Sequence, residues 1–416
     1  MSKLSGGSEW ALLLAPEPPY PPAGGGAIRT ASILHFLASR FRVHLVTFTV
    51  GDGSPPGTGL PAGLVAQLDW VRLPVHSRSV FARALRNAGR LLRGVLPLSD
   101  RFCGPEGREQ VARAVSGRSY ELAVVEHFWC ASYGETLRRH AGFVVLDMHN
   151  IESALHARCA RAETGPVRWM HAAFAGRALE QERKWAPRFD LVLTASEADR
   201  RLLEGIAPQA RTVVYPNAVP LRLPGEGEEE HCIAFSGNLE YHPNRSAVRY
   251  FSREVWPRLR RRDARLRWRL IGRNEWAVRR WTAGDPSIET TGPVEDSLAE
   301  LARVKVVVAP LLAGSGTRVK ILEAWAAGRA VVSTRLGAEG LPAADEENLL
   351  LADSPAEMEQ AVWRLLGDAE LRRRLGQAGR RVVEQQLSWP AVWRGLEQNL
   401  AECLPSFGPA KIGSDA

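Results

Sequence analysis

The sequence predicts an α/β protein built from two doubly wound parallel-sheet domains. Its 416 residues exceed the size at which a single hydrophobic core stops growing, roughly 250–300 residues. Short apolar, β-branched segments alternate with helical segments along the chain, which is typical of parallel strands covered by helices on both faces. A polar, glycine-rich segment, 221–231, interrupts this alternation and indicates a linker between the two domains.

The first domain is predicted to open with a βαβ unit. Trp10–Ala15 is a predicted strand, glycines 24–26 form a turn, and a helix with Ile33 and Leu37 on one face leads to a second strand, Val43–Val50. Glycines between a strand and a helix let backbone N–H groups approach a phosphate or a sugar at the helix N-terminus. Four further strands are predicted at Leu122–Val125, Phe143–Leu146, Leu191–Thr194 and Thr212–Tyr215.

The alternation of strands and helices restarts after the linker. The predicted strands of the second domain are Cys232–Phe235, Trp268–Ile271, Val304–Ala309 and Ala330–Ser333. We therefore place one domain at 1–221 and the other at 222–385, followed by a closing segment, 386–416. Ligands of such sheets bind at the carboxyl ends of the strands, so two facing domains would hold a substrate in the cleft between them.

Composition narrows the class of protein and its partners. With 45% hydrophobic and 24% charged residues the chain is globular, not disordered or collagen-like. Its five scattered cysteines form no Cys-x-x-Cys, which argues against a disulfide framework or a zinc ribbon and favours a reducing, cytoplasmic location. The net charge of +8 suits an anionic partner, either nucleic acid, a membrane surface or a phosphorylated substrate; arginine-rich codon usage is the alternative explanation.

The strongest chemical motif follows the strand Val304–Ala309. Small residues there would expose the backbone amides of a helix start, Thr317 could cap that helix, and Arg318 and Lys320 would add positive charge beside a diphosphate. Glu323, one turn farther along, is well placed to hold a ribose hydroxyl pair. An ordinary loop followed by an amphipathic helix is the alternative. The motif consists of Gly314, Ser315, Gly316, Thr317, Arg318, Lys320 and Glu323.

This motif and several others resemble family-4 (group 1) glycosyltransferases with the GT-B fold, over about residues 10–395. The matching segments are 24–26 with Arg29, His127-Phe128-Trp129, Asp147-Met148-His149-Asn150, Thr194-Ala195-Ser196-Glu197, Pro216-Asn217-Ala218-Val219, Phe235-Ser236-Gly237-Asn238, Tyr241-His242-Pro243-Asn244, Gly292-Pro293-Val294-Glu295-Asp296, and 314–324 with 328–334 and 337–341. The resemblance implies an acceptor-binding first domain, a second domain that binds a nucleotide-sugar donor, and a closing helix that crosses back to the first domain.

The resemblance also implies the reaction and its partners. It implies retention of anomeric configuration and transfer of a hexose-type sugar from a UDP- or GDP-sugar to a cell-surface polysaccharide or a lipid-linked glycan. Transfer to a small natural product and a non-catalytic nucleotide-sugar-binding protein are the alternatives. No nucleic-acid partner is expected. The sequence contains no Asp-x-Asp and no His/Cys group with metal-ligand spacing, so we expect neither a metal nor a cofactor.

Roles are carried over from the family position by position. The catalytic assignments are His127, Arg318 and Lys320. The donor-binding assignments are Gly25, Gly26, Gly237, Asn238, Arg273, Gly314, Ser315, Gly316, Thr317 and Glu323. Arg29, His149 and Asn150 are assigned to the cleft. The sequence departs from the family pattern at Ser315, where the family has a sugar-binding glutamate, and at Asn238 and Asn244, where it has a basic pair.

The segment 78–98 suggests contact with an anionic membrane. Phe81, Leu85, Leu92 and Val95 fall near one helical face, and the five arginines of this segment surround it. No stretch has the roughly 18–20 apolar residues of a membrane span, so we expect at most peripheral binding at the cytoplasmic face. A helix packed on the sheet with a solvated basic face is the alternative. The arginines are Arg78, Arg83, Arg86, Arg90 and Arg93.

Overall fold

The structure is a computed structural model that describes residues 9–22, 24–51, 59–75, 79–162, 165–221, 229–294, 296–312, 318–404 and 407. Its described residues form two compact units. One unit takes in the described parts of Met1–Pro22, Thr30–Pro216 and Trp393–Ala416, and the other takes in those of Ala23–Arg29 and Asn217–Val392. Part of the predicted linker, 222–228, lies outside the described residues.

The first unit contains a seven-stranded sheet with helices on both faces. Its strands are β1 Trp10–Ala15, β2 Arg42–Val50, β3 Gln67–Leu73, β4 Tyr120–Glu126, β5 Ala141–Met148, β6 Leu191–Thr194 and β7 Thr212–Val214. The helices up to this point in the chain are α1 Gly25–Ala38, α2 Val80–Leu92, α3 Pro97–Phe102, α4 Pro105–Val115, α5 Gly134–Leu137, α6 Glu152–Ala162, α7 Gly165–Trp185 and α8 Glu197–Ile206.

The second unit contains a six-stranded sheet. Its strands are β8 Glu230–Ser236, β9 Arg267–Ile271, β10 Ile288–Thr290, β11 Val304–Ala309, β12 Ala330–Ser333 and β13 Leu350–Leu351. The remaining helices are α9 His242–Tyr250, α10 Trp256–Arg262, α11 Arg279–Thr282, α12 Ser297–Ala302, α13 Val319–Ala326, α14 Pro355–Gly367, α15 Ala369–Val382 and α16 Trp389–Ala401.

Both sheets are parallel and doubly wound, as the sequence predicted. The strand orders are β3-β2-β1-β4-β5-β6-β7 and β10-β9-β8-β11-β12-β13, which are the same Rossmann-like order when each sheet is counted from its own first strand. In such a sheet the chain reverses its winding direction next to the first strand, and ligands bind beyond the carboxyl ends of the strands there. The relevant strands are β1 and β4 in the first unit, and β8 and β11 in the second.

Burial along the strands of the second unit explains why they lack a polar face. Alternate residues of β11 belong to different cores: Val306 and Val308 pack on one side of the sheet, and Val307 and Ala309 pack on the other. Successive side chains of a strand point to opposite faces, so a sheet covered on both sides requires an apolar residue at nearly every position. This requirement is the physical origin of the continuous apolar runs in the sequence.

Three strands were not predicted, and all three lie at sheet edges. They are β3, β10 and β13, of which β10 and β13 have only three and two residues. An edge strand is paired on one side only and partly exposed, so its sequence carries a weaker apolar signal.

The predicted amphipathic segment is shorter and differently partnered than expected. Helix α2 ends at Leu92, before Val95, and the buried Arg90 donates to the carboxylate of Asp100 at 2.9 Å. Arg93 donates to the same carboxylate at 2.9 Å. Because Arg90 is buried and paired, it does not contribute to a solvated basic face. Arg78 and the side chain of Arg83 lie outside the described residues. Among the described helices, none has both the length and the apolar character needed to cross a bilayer.

Candidate functional site

Two glycines bring the loops after β8 and β9 into contact. Gly237 and Gly272 have φ values of 137° and 140°, a region that L side chains rarely adopt. A Cβ atom on Gly272 would lie 2.1 Å from the carbonyl oxygen of Gly237. Only glycine therefore permits this approach of the two strand ends next to the winding reversal of the second sheet.

Asparagine side chains extend this contact toward α9 and toward the loop after β9. Asn238 accepts a bond from Asn274 Nδ2 through Oδ1 at 2.9 Å, and its backbone carbonyl accepts a bond from Asn244 Nδ2 at 2.8 Å. Asn274 has a left-handed backbone with φ 66°, a conformation that asparagine tolerates better than most residues. The two positions where the family has cations are thus neutral amides that bind one another.

Lys320 supplies a cation to the same place. Its Nζ donates to Asn244 Oδ1 at 2.7 Å and lies 4.8 Å from the ring centroid of Phe235. Burial of the ammonium, together with the nearby Arg318, lowers its pKa to about 7, and Glu323 opposes this shift only in part. We call Gly237, Asn238, Asn244, Gly272 and Lys320 the lysine cluster.

Glu323 and Arg318 lie on the same short segment as Lys320 but have different partners. Ser297 Oγ donates to Glu323 Oε1 at 2.7 Å, and burial raises the pKa of this carboxyl group. Arg318 is buried, donates through Nη2 to the backbone carbonyl of Leu336 at 3.1 Å, and has Glu339 at 3.8 Å. The structure therefore brings Lys320 and Glu323 together and directs the Arg318 guanidinium toward the loop after β12.

Of the other predicted donor-binding residues in this unit, four lie outside the described part of the chain and one is exposed. Gly314, Ser315, Gly316 and Thr317 lie outside the described residues. Arg273 is exposed, and its backbone carbonyl accepts a bond from the N–H of Leu239 at 3.0 Å.

Residues 24–29 follow β1 in the chain but belong to the second unit, and they pack closely within that unit. A Cβ on Gly25 would lie 3.1 Å from Val319 Cγ2, at the first residue of α13. Gly26 is half-buried in the first turn of α1. Arg29 is buried and donates through Nη1 to Asn217 Oδ1 at 2.9 Å.

A group of histidines and carboxylates occupies the carboxyl ends of β4 and β5 in the first unit. His127 follows β4 with φ 63° and ψ 136°, a strained conformation for a residue with a Cβ. Its N–H donates to the carbonyl of Asp147 at 2.9 Å, and its ring stacks on Trp129 at a centroid distance of 4.1 Å. The His149 ring lies beside it at 3.6 Å. Asn150, the next residue, is half-buried.

His149 is held by two buried carboxylates. Its Nε2 lies 2.6 Å from Glu126 Oε2 and 3.2 Å from Asp147 Oδ2, and Thr30 Oγ1 also donates to Glu126 at 3.2 Å. Burial alone would lower the pKa of His149, but the two carboxylates outweigh it and raise the pKa to about 9. The imidazole is therefore protonated at neutral pH. We call Glu126, His127, Asp147 and His149 the histidine cluster.

Glu152 supports this cluster through Trp129, and a second buried carboxyl group, Glu182, lies near Glu152. Trp129 Nε1 donates to Glu152 Oε1 at 2.9 Å, and burial raises the pKa of Glu152 to about 7. Glu182 accepts a bond from Ser153 Oγ at 2.5 Å, and burial raises its pKa as well. Because Trp129 also stacks on His127, Glu152 helps to fix the position of the His127 ring.

Among the described residues, Glu126, His127 and His149 offer ligand atoms within 4.8 Å of one another, close enough to hold a metal ion. His149 Nε2 lies within hydrogen-bond distance of Glu126 and Asp147. A metal ion bound here would have to displace the proton between the imidazole and these carboxylates. Spacing in the sequence does not reveal the group because its members come from two strands that are paired only in the fold.

Sequence reasoning missed several residues that complete these clusters. Ser297, Glu126 and Glu152 carried no motif of their own, whereas Asn274, which follows the strand Trp268–Ile271, was expected with Arg273 to border the nucleotide base. Glu126 and Glu152 could have been suspected because each is an acidic residue at the junction of an apolar strand and a helix. Ser297 had no such signal.

Residues 230–368 match the family model described as "Glycosyl transferases group 1". Sucrose-phosphate synthase from Thermosynechococcus elongatus is similar in structure, with a TM-score of 0.70, 16% identity and coverage of 96% of this chain and 100% of that chain. Anabaena HepE with UDP and glucose has a TM-score of 0.65, 13% identity and coverage of 94% and 99%.

A mutant of S. aureus TarM, in complex with Fondaparinux, alpha-GlcNAc-glycerol and UDP, has a TM-score of 0.66, 11% identity and coverage of 96% of this chain and 100% of that chain. No curated protein matches the chain in sequence. The family match over residues 230–368 bears out the resemblance stated from the sequence, and the two doubly wound sheets and the structural neighbours confirm the GT-B fold.

Proposed function

We propose that the protein is a metal-independent, retaining family-4 hexosyltransferase. In this proposal it moves a sugar from a UDP- or GDP-sugar to a cell-surface polysaccharide or a lipid-linked glycan at the cytoplasmic face of the membrane. Transfer to a small natural product remains the alternative within the enzyme class. A non-catalytic nucleotide-sugar-binding protein is the alternative outside that class.

The observation that carries the proposal is the position of Lys320. Its ammonium lies beside the Gly237 backbone, bonded to Asn244, at the winding reversal where a doubly wound sheet binds its ligand. No carboxylate among the described residues forms an ion pair with it. A diphosphate at this place would meet an ammonium group with no carboxylate of the described residues in contact, and its negative charge would favour the protonated form of Lys320.

The chemistry then follows from charge on the leaving group. The bond between the anomeric carbon and the diphosphate oxygen breaks, and the acceptor oxygen bonds to the same face of that carbon. The acceptor proton passes to the departing phosphate. Preorganised donors and cations contribute roughly 3 kcal/mol each to such a transition state. We assign this role to Lys320 and the amides of 314–317, and binding of the ribose to Glu323.

His127 is the residue that we propose for the donor sugar. Its ring packs against the rings of Trp129 and His149, so it is preorganised for a hydrogen bond. The histidine cluster carries two carboxylates and one imidazolium. Such a net negative charge stabilises the positive charge that the donor sugar develops in an oxocarbenium-like transition state.

UDP-sugars are the first donors to test, because HepE and TarM were both solved with UDP. For the membrane part of the proposal, the support is the exposed face of α2. Phe81, Leu85 and Leu92 are 80%, 66% and 89% exposed, and Arg86 and Arg93 lie on the same helix and at its end. Exposed apolar side chains beside cations suit an anionic bilayer surface.

The deciding experiment measures donor turnover without an acceptor. We expect slow release of UDP or GDP from the matching nucleotide-sugar by the wild-type protein, unchanged by a chelator. Lys320→Met should reduce the rate more than about tenfold. A protein that shows a thermal shift with nucleotide but releases none is a binding protein. An absolute requirement for Mg²⁺ or Mn²⁺ contradicts the metal-independent mechanism.

A further inference from the structure

A small basic cavity opens between α9 and α11 on the second unit. Its volume is about 170 Å³, and its lining residues are His242, Arg245, Ser246, Arg249, Arg280 and Trp281. None of these residues belongs to the lysine cluster. The two sites share α9, because Asn244 contacts Lys320 while the next residue, Arg245, faces the cavity. We call this cavity the arginine pocket.

The three arginines of the pocket lack anionic partners. Within the described ranges, neither Arg245, Arg249 nor Arg280 lies within ion-pair distance of a carboxylate. Arg245 is half-buried and Arg249 and Arg280 are exposed, whereas the buried Arg269 of the same unit is paired with Glu230 at 2.5 Å. Three guanidinium groups around one cavity repel one another unless an anion lies between them.

Arg245 adds a buried, unpartnered donor to the pocket wall. Its Nε is buried and has no hydrogen-bond partner among the described residues. A buried donor without an acceptor costs about 1–3 kcal/mol, so a rotation of this guanidinium group toward an oxyanion in the cavity would be favoured.

The pocket is also geometrically ordered. His242, Arg245, Ser246 and Arg249 follow the i, i+3, i+4, i+7 spacing of one face along the nine-residue helix α9. Arg280 is held over the Trp281 ring, with its guanidinium carbon 4.1 Å from the ring centroid. The donors therefore converge on the cavity from two separate elements.

We propose that the arginine pocket binds a phosphate group, either inorganic phosphate or the terminal phosphate monoester of a larger molecule. Guanidinium groups match phosphate oxygens with paired, charge-assisted hydrogen bonds, and Ser246 adds a hydroxyl donor. The cavity is smaller than the roughly 300–1,000 Å³ of sites that enclose drug-sized ligands, so a nucleotide does not fit inside it. The site is distinct from the one proposed for the donor.

The test is titration calorimetry in a phosphate-free buffer with two probes, inorganic phosphate and glycerol 3-phosphate. The double variant Arg249→Gln with Arg280→Gln removes two exposed arginines and should weaken binding of the preferred probe more than about tenfold, since two charge-assisted donors are lost. Arg253→Gln, an exposed arginine that does not line the pocket, should leave the affinity within about twofold. Preference for inorganic phosphate indicates a free ion, and preference for glycerol 3-phosphate indicates a monoester.

Two results would overturn the pocket. One is no binding of either probe by the folded wild-type protein. The other is an equal loss in the double variant and in Arg253→Gln, which would indicate a general charge effect. Lys320→Met distinguishes the donor site from the arginine pocket, because it should weaken UDP binding and leave phosphate binding unchanged. If Lys320→Met alone abolishes phosphate binding, the phosphate occupies the donor site and the arginine pocket is excluded.

Discussion

The low pKa of Lys320 predicts that nucleoside diphosphate binding takes up a proton. Without ligand the ammonium is buried near Arg318, and its pKa is lowered to about 7. A bound diphosphate places negative charge beside it, which favours the protonated form and raises the pKa in the complex. Above pH 7 the free protein must therefore gain a proton when it binds.

The expected size of the effect follows from the fraction of protein with a charged lysine. For a pKa of about 7 this fraction falls from about 0.5 at pH 7 to about 0.09 at pH 8. The affinity should fall about five- to sixfold from pH 7 to pH 8. From pH 8 to pH 9 the further decrease should approach tenfold, which corresponds to about 1.4 kcal/mol. Below pH 6 the affinity should no longer depend on this group.

The assay is calorimetric titration of UDP and of GDP at pH 7, 8 and 9, in buffers with different ionisation enthalpies. The buffer dependence of the heat gives the number of protons taken up, which should approach one at pH 8 to 9. Lys320→Met is the control, with weaker binding at pH 7 and no proton uptake. An affinity that is constant from pH 7 to 9, or the same pH dependence in Lys320→Met, would refute the reasoning.

Four further perturbations test other parts of the structure. Glu323→Gln should weaken UDP binding by about 1–3 kcal/mol in calorimetry, and unchanged affinity would exclude it from the ribose site. Gly272→Ala should lower the free energy of unfolding by about 2 kcal/mol or more and abolish UDP binding, because its Cβ would lie 2.1 Å from a carbonyl oxygen, whereas Gly284→Ala, at φ 96° with open space around it, should cost less in denaturant titrations. The pKa of His149, raised from 6.5 to about 9, adds stability that is complete below pH 6.5 and is lost as pH rises to 9, so His149→Gln should flatten the stability profile between pH 7 and 9; a parallel profile would contradict the pairing. Phe81→Ser should reduce co-sedimentation with anionic liposomes, and no binding by the wild-type protein at low salt would end the case for α2 as a membrane contact.

The sequence was sufficient for the interior of both sheets. Strands such as β1, β6 and β11 have the predicted bounds, because a parallel strand covered on both faces must be apolar at consecutive positions. Of the four edge strands in the described sheets, β3, β10 and β13 were not predicted. Their formation depends on a neighbour in the sheet more than on their own residues.

The part of the donor motif that lies within one helix could also be predicted from neighbouring residues alone. Lys320 and Glu323 are three residues apart on α13, so helical spacing alone places them on neighbouring positions of one face. Their residue types and the apolar strand before them indicated a nucleotide diphosphate site without knowledge of any distant contact.

Only the tertiary structure decided which distant residues complete the sites. Asn244 meets Lys320 across 76 positions of sequence, and Glu126 meets His149 across 23. Such contacts arise where parallel strands end at the same edge of a sheet, and strand order is a property of the whole domain. Burial then sets the chemistry: it lowers the pKa of Lys320, while two neighbouring carboxylates overcome it at His149, and neither environment can be read from the residues alone.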